Sequence, residues 1–255
     1  MKIIDTHAHV TCDELFNQID TITQRAKEAG LIKILVVCTS FEEAIRAIEL
    51  AEKEDLYDCA FGFHPENADD ISDQDIEQLK QILAHPKMVA LGEIVLDYHW
   101  RQDNKDQQKQ LFIKQIELAN ELDLPILVHM RDATADTLEI FKQHPVKGVM
   151  HCYSGSLETT KILLKMGFYI SFAGPLTFKN ANEALTVCDY VPLERIFVET
   201  DCPYMTPHPH RGKQNEPYYV QFTFAKACEV KGLDADVLSE AMLANYRRLF
   251  TKSKA

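Results

Sequence analysis

The chain has 255 residues, 46% of them hydrophobic and 26% charged, a balance typical of globular proteins rather than of disordered or fibrous ones. Its formal net charge of −12 argues against a protein that coats nucleic acid with a basic surface, because such binding depends on Lys and Arg neutralising phosphates. The length suits one large barrel or two smaller domains.

The cysteines and the apolar runs bear on the cellular compartment. The seven cysteines are scattered, odd in number and include no Cys-x-x-Cys pair, which favours reduced thiols in the cytoplasm. No stretch approaches the ~20 apolar residues that a membrane-spanning helix needs. We therefore expect a cytoplasmic protein with no membrane partner.

Short β-prone runs alternate along the chain with amphipathic segments that have helical periodicity. The predicted strands are Ile3–His9, Lys33–Thr39, Cys59–Phe63, Met88–Ile94, Pro125–His129, Lys147–His151, Tyr169–Phe172 and Arg195–Glu199. The predicted helices run from about Asp13 to Gly30, Ser40 to Ala51, Ser72 to Leu83, Lys105 to Leu122, Thr137 to Gln143, Leu157 to Met166, Ala181 to Cys188, Tyr219 to Lys231 and Asp236 to Phe250.

Eight strands that alternate with helices indicate a (β/α)8 barrel in a single domain, residues 1–255. A doubly wound open sheet is the second choice. Polar side chains favour the barrel, because the relevant ones fall at the carboxyl ends of several predicted strands, and in a barrel these ends meet at one mouth.

The opening strand carries His7 and His9, which share a face because side chains two apart in a strand point the same way. Alone, such a pair is weak evidence, and a single strand-terminal His or Glu is often a packed, hydrogen-bonded core residue. Together, four imidazoles and two carboxylates at matching strand ends predict a centre that holds two divalent ions. The predicted ligands are His7, His9, Glu93, His129, His151 and Asp201.

The same residues lie within seven segments that resemble the motifs of TatD-family metal-dependent deoxyribonucleases. The segments follow one another over nearly the whole chain: Asp5–His9, Gly62–Pro65, Gly92–Tyr98, His129–Ala133, His151–Gly155, Glu199–Tyr204 and Arg211–Pro217. The resemblance implies a (β/α)8 barrel, divalent metal ions held by the six ligands above, and DNA as substrate. Val95 occupies a position where the family commonly has Gly, which affects backbone packing beside Glu93.

Five further residues are candidates for substrate binding. His64, Arg131 and Tyr153 could contact a phosphate or a base, or could instead support the metal ligands. Arg211 and Lys213 lie in a proline-rich loop after the eighth strand, where barrels often bind phosphate, so both are candidate anchors for a nucleotide backbone; a solvated charged loop is the alternative.

We therefore predict a hydrolase of DNA phosphodiester bonds that takes strand ends or single strands and uses two ions chosen from Zn, Mn, Ni and Mg. Glu93 bridges the ions, and Asp201 orients the attacking water or accepts its proton. Two alternatives stay open: an amidohydrolase-type enzyme for a small amide, lactone or phosphoester, and a non-catalytic metal-binding barrel. The sequence does not determine the oligomeric state.

Overall fold

The computed structural model describes residues 2–65 and 68–255 and shows eight parallel strands in sequence order. The strands are β1 Ile3–Ala8, β2 Leu31–Cys38, β3 Tyr57–Phe61, β4 Met88–Asp97, β5 Ile126–Arg131, β6 Gly148–Met150, β7 Tyr169–Phe172 and β8 Ile196–Val198. Helices alternate with them and cover the outside of the sheet. This is the predicted (β/α)8 barrel, and the open doubly wound sheet is excluded.

The helices follow the strands in the predicted order, and the two predicted terminal helices come after β8. They are α1 Asp13–Phe16, α2 Ile19–Glu28, α3 Phe41–Lys53, α4 Asp73–Leu83, α5 Lys105–Glu121, α6 Thr134–Gln143, α7 Leu157–Lys165, α8 Asn182–Tyr190, α9 Val220–Lys231 and α10 Ala235–Leu249. Across residues 2–65 and 68–255, no helix is both long and apolar enough to span a bilayer.

The barrel closes where β1 meets the segment that follows β8. The amide of Asp201 donates to the carbonyl of His7 at 2.9 Å, and the amide of His9 donates to the carbonyl of Cys202 at 2.8 Å. The buried carboxylate of Asp5 accepts hydrogen bonds from the Thr200 amide at 2.9 Å and from its hydroxyl at 2.6 Å. This seam therefore joins the first and last parts of the barrel beside three of the predicted metal ligands.

Many predicted elements differ from the observed ones in their bounds, the first helix and β4 among them. The helix predicted from Asp13 to Gly30 is two helices, which are separated at Asn17 and Gln18. Strand β4 continues to Asp97 rather than ending at Ile94, because its last three residues keep pairing with β5. Glu93 consequently lies within the strand instead of at its end.

Helix α10 covers the amino-terminal end of the barrel through a buried polar network. The Asp58 carboxylate accepts hydrogen bonds from the Tyr246 hydroxyl at 2.9 Å and from Ser253 Oγ at 2.5 Å, and it lies 3.4 Å from Lys33 Nζ. The Lys33 ammonium also donates to the carbonyl of Asp55 at 2.6 Å. Each buried charge at this end of the barrel is thus satisfied by groups of the protein itself.

Replacing Asp58 with Ala leaves the Lys33 ammonium buried without its anionic partner, so we expect the free energy of unfolding to fall by about 3–5 kcal/mol. Urea unfolding followed by circular dichroism measures the change. The matched control is Asp55→Ala, which removes an exposed carboxylate that pairs with Lys87, and its unfolding curve should coincide with that of the wild type. An Asp58→Ala midpoint equal to that of the wild type would contradict the stabilising role of the network.

Candidate metal centre

The structure brings the six predicted metal ligands together at the carboxyl-terminal mouth of the barrel. His7 lies in β1 and His9 directly follows it, and their Nε2 atoms are 3.2 Å apart. His129 lies in β5 and His151 directly follows β6, with 3.3 Å between Nδ1 of the former and Nε2 of the latter. Glu93 comes from β4 and Asp201 from the segment after β8.

Glu93 reaches the centre because the backbone of β4 packs very closely against β5 at the residue before it. Gly92 has φ +154°, and a Cβ built there would lie 2.8 Å from the carbonyl oxygen of Leu127. The β4–β5 register is irregular between Leu91 and Ile94. Only glycine fits at position 92, and the irregular stretch is the one that carries the Glu93 carboxylate into the mouth.

The two oxygens of Glu93 face two different pairs of imidazoles. Oε2 lies 3.3 Å from His7 Nε2 and 3.6 Å from His9 Nε2. Oε1 lies 3.4 Å from His129 Nδ1 and 3.3 Å from His151 Nε2. A carboxylate placed in this way could bridge two cations, one at each pair of imidazoles.

Asp201 adds a carboxylate to the first pair of imidazoles, His7 and His9. Its Oδ1 lies 3.6 Å from His9 Nε2 and 3.9 Å from His7 Nε2. His7, His9 and Asp201 form one group whose ligand atoms all lie within 4.8 Å of one another, and His7, Glu93 and His151 form a second. Imidazole nitrogens and carboxylate oxygens are the donor set of Zn and of other first-row divalent ions.

Hydrogen-bond partners on the far side of three imidazoles fix which nitrogen faces the centre. His9 Nδ1 lies 3.0 Å from the carbonyl of Val37, His129 Nε2 lies 3.3 Å from Asp97 Oδ2, and His151 Nδ1 lies 3.2 Å from Glu199 Oε1. Each partner is an acceptor, so the far nitrogen carries the proton and the near nitrogen presents a lone pair. This arrangement fits metal ligands, since a cation needs those lone pairs.

Burial and mutual interactions shift the ionisation of the ligands. Burial raises the pKa of Glu93, but the charge and hydrogen bonds of His151 and His7 more than offset this and hold it well below its usual range. Burial also raises the pKa of Asp201, and the hydrogen bond from His9 brings it below the ordinary value. Burial, followed by the nearby charge of His151, lowers the pKa of His7. The two carboxylates and His7 thus favour the forms that bind metal.

Two of the remaining imidazoles, those of His151 and His9, have pKa values shifted upward. Burial lowers the pKa of His151, but Glu93 and Glu199 raise it well above its ordinary value. Burial likewise lowers the pKa of His9, and a hydrogen bond with Asp201 brings the net shift above the ordinary value. A proton on these rings offsets the buried carboxylates in the same way that a divalent cation does, so cation and proton compete for the same nitrogens.

Sequence reasoning assigned no role to the two carboxylates behind the imidazoles. Asp97 orients His129, and its other oxygen accepts the amide of His99 at 2.8 Å. Glu199 orients His151 and accepts the amide of Cys152 at 2.6 Å. Both residues lie inside the motif segments, two to four residues from a predicted ligand, which is the signal that could have identified them.

A cavity of about 340 Å³ opens beside the imidazoles between β5, β6, β7 and the loop after β8. Its wall includes His129, His151 and Asp201 from the centre, and Arg131 and Tyr153 from the predicted substrate-binding set. The Tyr153 hydroxyl is held by the Ser156 carbonyl at 3.4 Å. His64 lies on the opposite side of His129, with 6.3 Å between the two ring centroids.

Unlike Arg131 and Tyr153, the two basic residues of the loop after β8 lie outside the cavity. Arg211 and Lys213 are exposed, and the Arg211 guanidinium lies 3.9 Å from the ring centroid of Phe178. Among the described residues, neither belongs to the wall of the 340 Å³ cavity, to which this loop contributes Met205. The guanidinium of Arg211 therefore packs on the ring of Phe178 and does not enter the cavity.

A (β/α)8 barrel whose mouth gathers imidazoles and carboxylates from five different strands or strand ends defines the class of metal-dependent hydrolases. Comparison with known proteins identifies the family. The model of the family described as "TatD related DNase" matches residues 4–251, and the chain belongs to this family.

Individual relatives agree with this assignment over almost their full lengths. The chain is 41% identical over 251 residues to the metal-dependent hydrolase YabD of Bacillus subtilis, covering 97% of this chain and 98% of that protein. It is 37% identical over 256 residues to the metal-dependent hydrolase YcfH of Escherichia coli, covering 98% and 96%. The crystal structure of the E. coli TatD homologue YjjV superimposes with a TM-score of 0.91 at 33% identity, covering 98% of each chain.

The residue at which the motif departs from the family pattern is accommodated in the strand. Val95 is 2% exposed and pairs with His129 in the β4–β5 ladder. Its side chain therefore packs within the barrel wall while the backbone keeps the register that presents Glu93 and His129.

Replacing Glu199 with Ala removes the acceptor that orients His151, and we expect the apparent dissociation constant for the metal to rise about 10- to 100-fold. Glu199→Gln keeps a carbonyl oxygen at this position, so it should lose less affinity for the metal than Glu199→Ala. Competition with a chromogenic chelator measures both constants, with circular dichroism as a check on folding. Glu216→Ala, which removes a carboxylate paired with Arg25, is the control and should bind metal as the wild type does. Unchanged affinity in a folded Glu199→Ala protein would contradict the orienting role.

Proposed function

We propose that the protein is a deoxyribonuclease that hydrolyses phosphodiester bonds at strand ends or in single-stranded DNA and binds two divalent ions. The observation that carries the proposal is the division of the Glu93 carboxylate between two pairs of imidazoles, with Asp201 beside one pair. The description of the matching family model, which covers residues 4–251, supports DNA as the substrate.

His7, His9, Asp201 and Glu93 Oε2 would hold one ion, and His129, His151 and Glu93 Oε1 the other. Divalent ions bound there supply Lewis acidity, which activates a water and offsets the charge that develops on the attacked phosphate. Zn, Mn and Ni suit the mixed nitrogen and oxygen donors, and Mg suits them less well.

The side chains at the mouth divide the remaining work. The Asp201 carboxylate, kept ionised by its neighbours, orients the attacking water and accepts its proton. Arg131 at the cavity wall donates to a non-bridging phosphate oxygen, while the Tyr153 ring borders the space for the adjoining nucleotide. His64 contributes a further imidazole beside His129 for a phosphate oxygen, and Arg211 and Lys213 meet the DNA backbone farther from the reacting phosphorus.

The thiols support a reducing compartment. All seven cysteines are free in the structure, and disulfides persist mainly in oxidising environments. We place the enzyme in the cytoplasm on this ground.

Removing the proton acceptor should abolish most of the activity without unfolding the protein. We expect Asp201→Asn to lower the rate of DNA cleavage by about 10²- to 10⁴-fold, and Glu93→Ala to lower both the rate and the metal content from two ions per chain. Gel assays and elemental analysis measure these. Asp123→Asn is a matched control, since both aspartates have positive φ and Asn tolerates that conformation. Activity on a panel of small amides, lactones and phosphoesters, with none on DNA, would replace the proposal by a different hydrolase.

The preference for unpaired DNA is a separate expectation. The mouth is one cavity of about 340 Å³ on a chain of net charge −12, which suits a strand end better than a long basic surface suits a duplex. End-labelled single-stranded and blunt duplex DNA of the same sequence should be cut at different rates, the single strand faster. Faster cleavage within intact duplex would reject this preference while leaving the nuclease itself intact.

A further inference from the structure

The only tryptophan in the chain lies at the mouth of the barrel and is largely exposed. Trp100 follows β4 in the turn after Asp97, and 68% of its surface is accessible. A large indole exposed to this degree is unusual in a soluble protein, and where such a ring is also held in place it marks a binding surface.

Two neighbours hold the ring. The Arg131 guanidinium lies over the indole with its carbon 5.5 Å from the ring centroid, and His99 meets the ring edge-on at 4.9 Å between centroids. Despite these two contacts, most of the indole surface still faces solvent. The ring is therefore oriented, and most of its surface remains available to a ligand.

Hydrogen bonds connect this ring to the metal centre. Asp97 Oδ1 accepts the amides of His99 at 2.8 Å and of Trp100 at 3.4 Å, while Asp97 Oδ2 faces His129 Nε2 at 3.3 Å. One carboxylate thus fixes both the ligand imidazole and the backbone that carries the indole.

Arg131 supplies a cation beside the indole that can meet an anionic ligand. Nearby acidic groups are paired: Asp132 lies 3.3 Å from His99 Nδ1, and Asp103 and Asp69 lie 3.0 and 2.9 Å from the Arg101 guanidinium. Arg131 borders both the indole and the cavity beside the centre. A ligand with a flat ring and a phosphate group meets the indole and Arg131 at the same time.

We propose that Trp100 is a positioning residue on which an unpaired nucleobase stacks while Arg131 holds the adjoining phosphate at the metal centre. The proposal rests on the deoxyribonuclease function proposed above and names the feature of the substrate that this mouth recognises. A base inside a duplex is already covered on both faces, so stacking on Trp100 selects single strands and frayed ends.

The single tryptophan makes the test direct, because all indole emission comes from this site. A phosphorothioate single strand resists cleavage, so it can be titrated into the metal-loaded enzyme while tryptophan emission is recorded. We expect saturable quenching by this strand, and none by a strand of the same length in which every base is replaced by an abasic tetrahydrofuran unit.

Variants separate stacking from a structural role. Trp100→Ala should weaken binding of a fluorescein-labelled single strand, measured by anisotropy, about 5- to 150-fold, and Trp100→Phe should recover most of the affinity. Metal content and affinity for the abasic strand should stay at wild-type levels, and in cleavage assays KM should rise more than kcat falls. Tyr190→Ala is the matched control, since Tyr190 is also exposed beneath a cation, Lys161, but on the opposite face of the barrel, and it should bind DNA as the wild type does.

Three results would overturn the proposal. They are equal quenching by the normal and abasic strands, unchanged DNA affinity in Trp100→Ala, and an emission that shifts with protein concentration alone, which would place the ring between copies of the chain. If any of these results is found together with normal DNA cleavage, Trp100 has no stacking role, but the proposed deoxyribonuclease function is not contradicted. Absence of both cleavage and binding would remove the deoxyribonuclease function itself.

Discussion

The mouth of the barrel is organised around one buried carboxylate. Glu93 is 5% exposed, and moving an unpaired carboxylate out of water to such a position costs several kcal/mol or more. Four imidazoles from three strand ends surround its two oxygens at 3.3 to 3.6 Å. The need to compensate this charge explains why residues far apart in the sequence have to converge.

A buried carboxylate is compensated differently at the two ends of the barrel. Asp58 at the amino-terminal end is met by donors that carry their own protons, from Lys33, Tyr246 and Ser253, so the protein alone completes the network. Around Glu93, acceptors behind three of the imidazoles, those of His9, His129 and His151, accept hydrogen bonds from the far nitrogens, so that the near nitrogens direct lone pairs toward the centre. That arrangement is complete only when a cation or additional protons occupy the centre, which distinguishes a ligand-binding cluster from a structural one.

Sequence patterns predict the barrel and the place of its chemistry because both follow from local rules. Alternating apolar periods give strands and helices, and parallel strands deliver their carboxyl ends to one mouth, which places His129 and Asp201 correctly without any long-range information. The patterns do not give the length of β4, since its extension past Glu93 depends on continued pairing with β5. Nor do they separate Asp97 or Glu199 from other acidic residues, because orienting an imidazole is a tertiary contact. Nor do they give the packing of the Arg211 guanidinium against Phe178, which is also a tertiary contact.

Net charge and local charge have opposite consequences for a polyanionic substrate. A chain of net charge −12 repels a long nucleic acid, and this repulsion extends about 8–10 Å at ordinary salt concentrations. Divalent ions held by the six candidate ligands would offset this charge only within the mouth, where Arg131 adds a further positive charge. Favourable contact is therefore limited to the few phosphates that enter, and affinity for the rest of the strand has to come from an uncharged interaction that salt does not screen. Under the proposed function, a flat aromatic surface such as the exposed indole of Trp100 would provide such an interaction, which would reconcile an acidic chain with binding of a strand end.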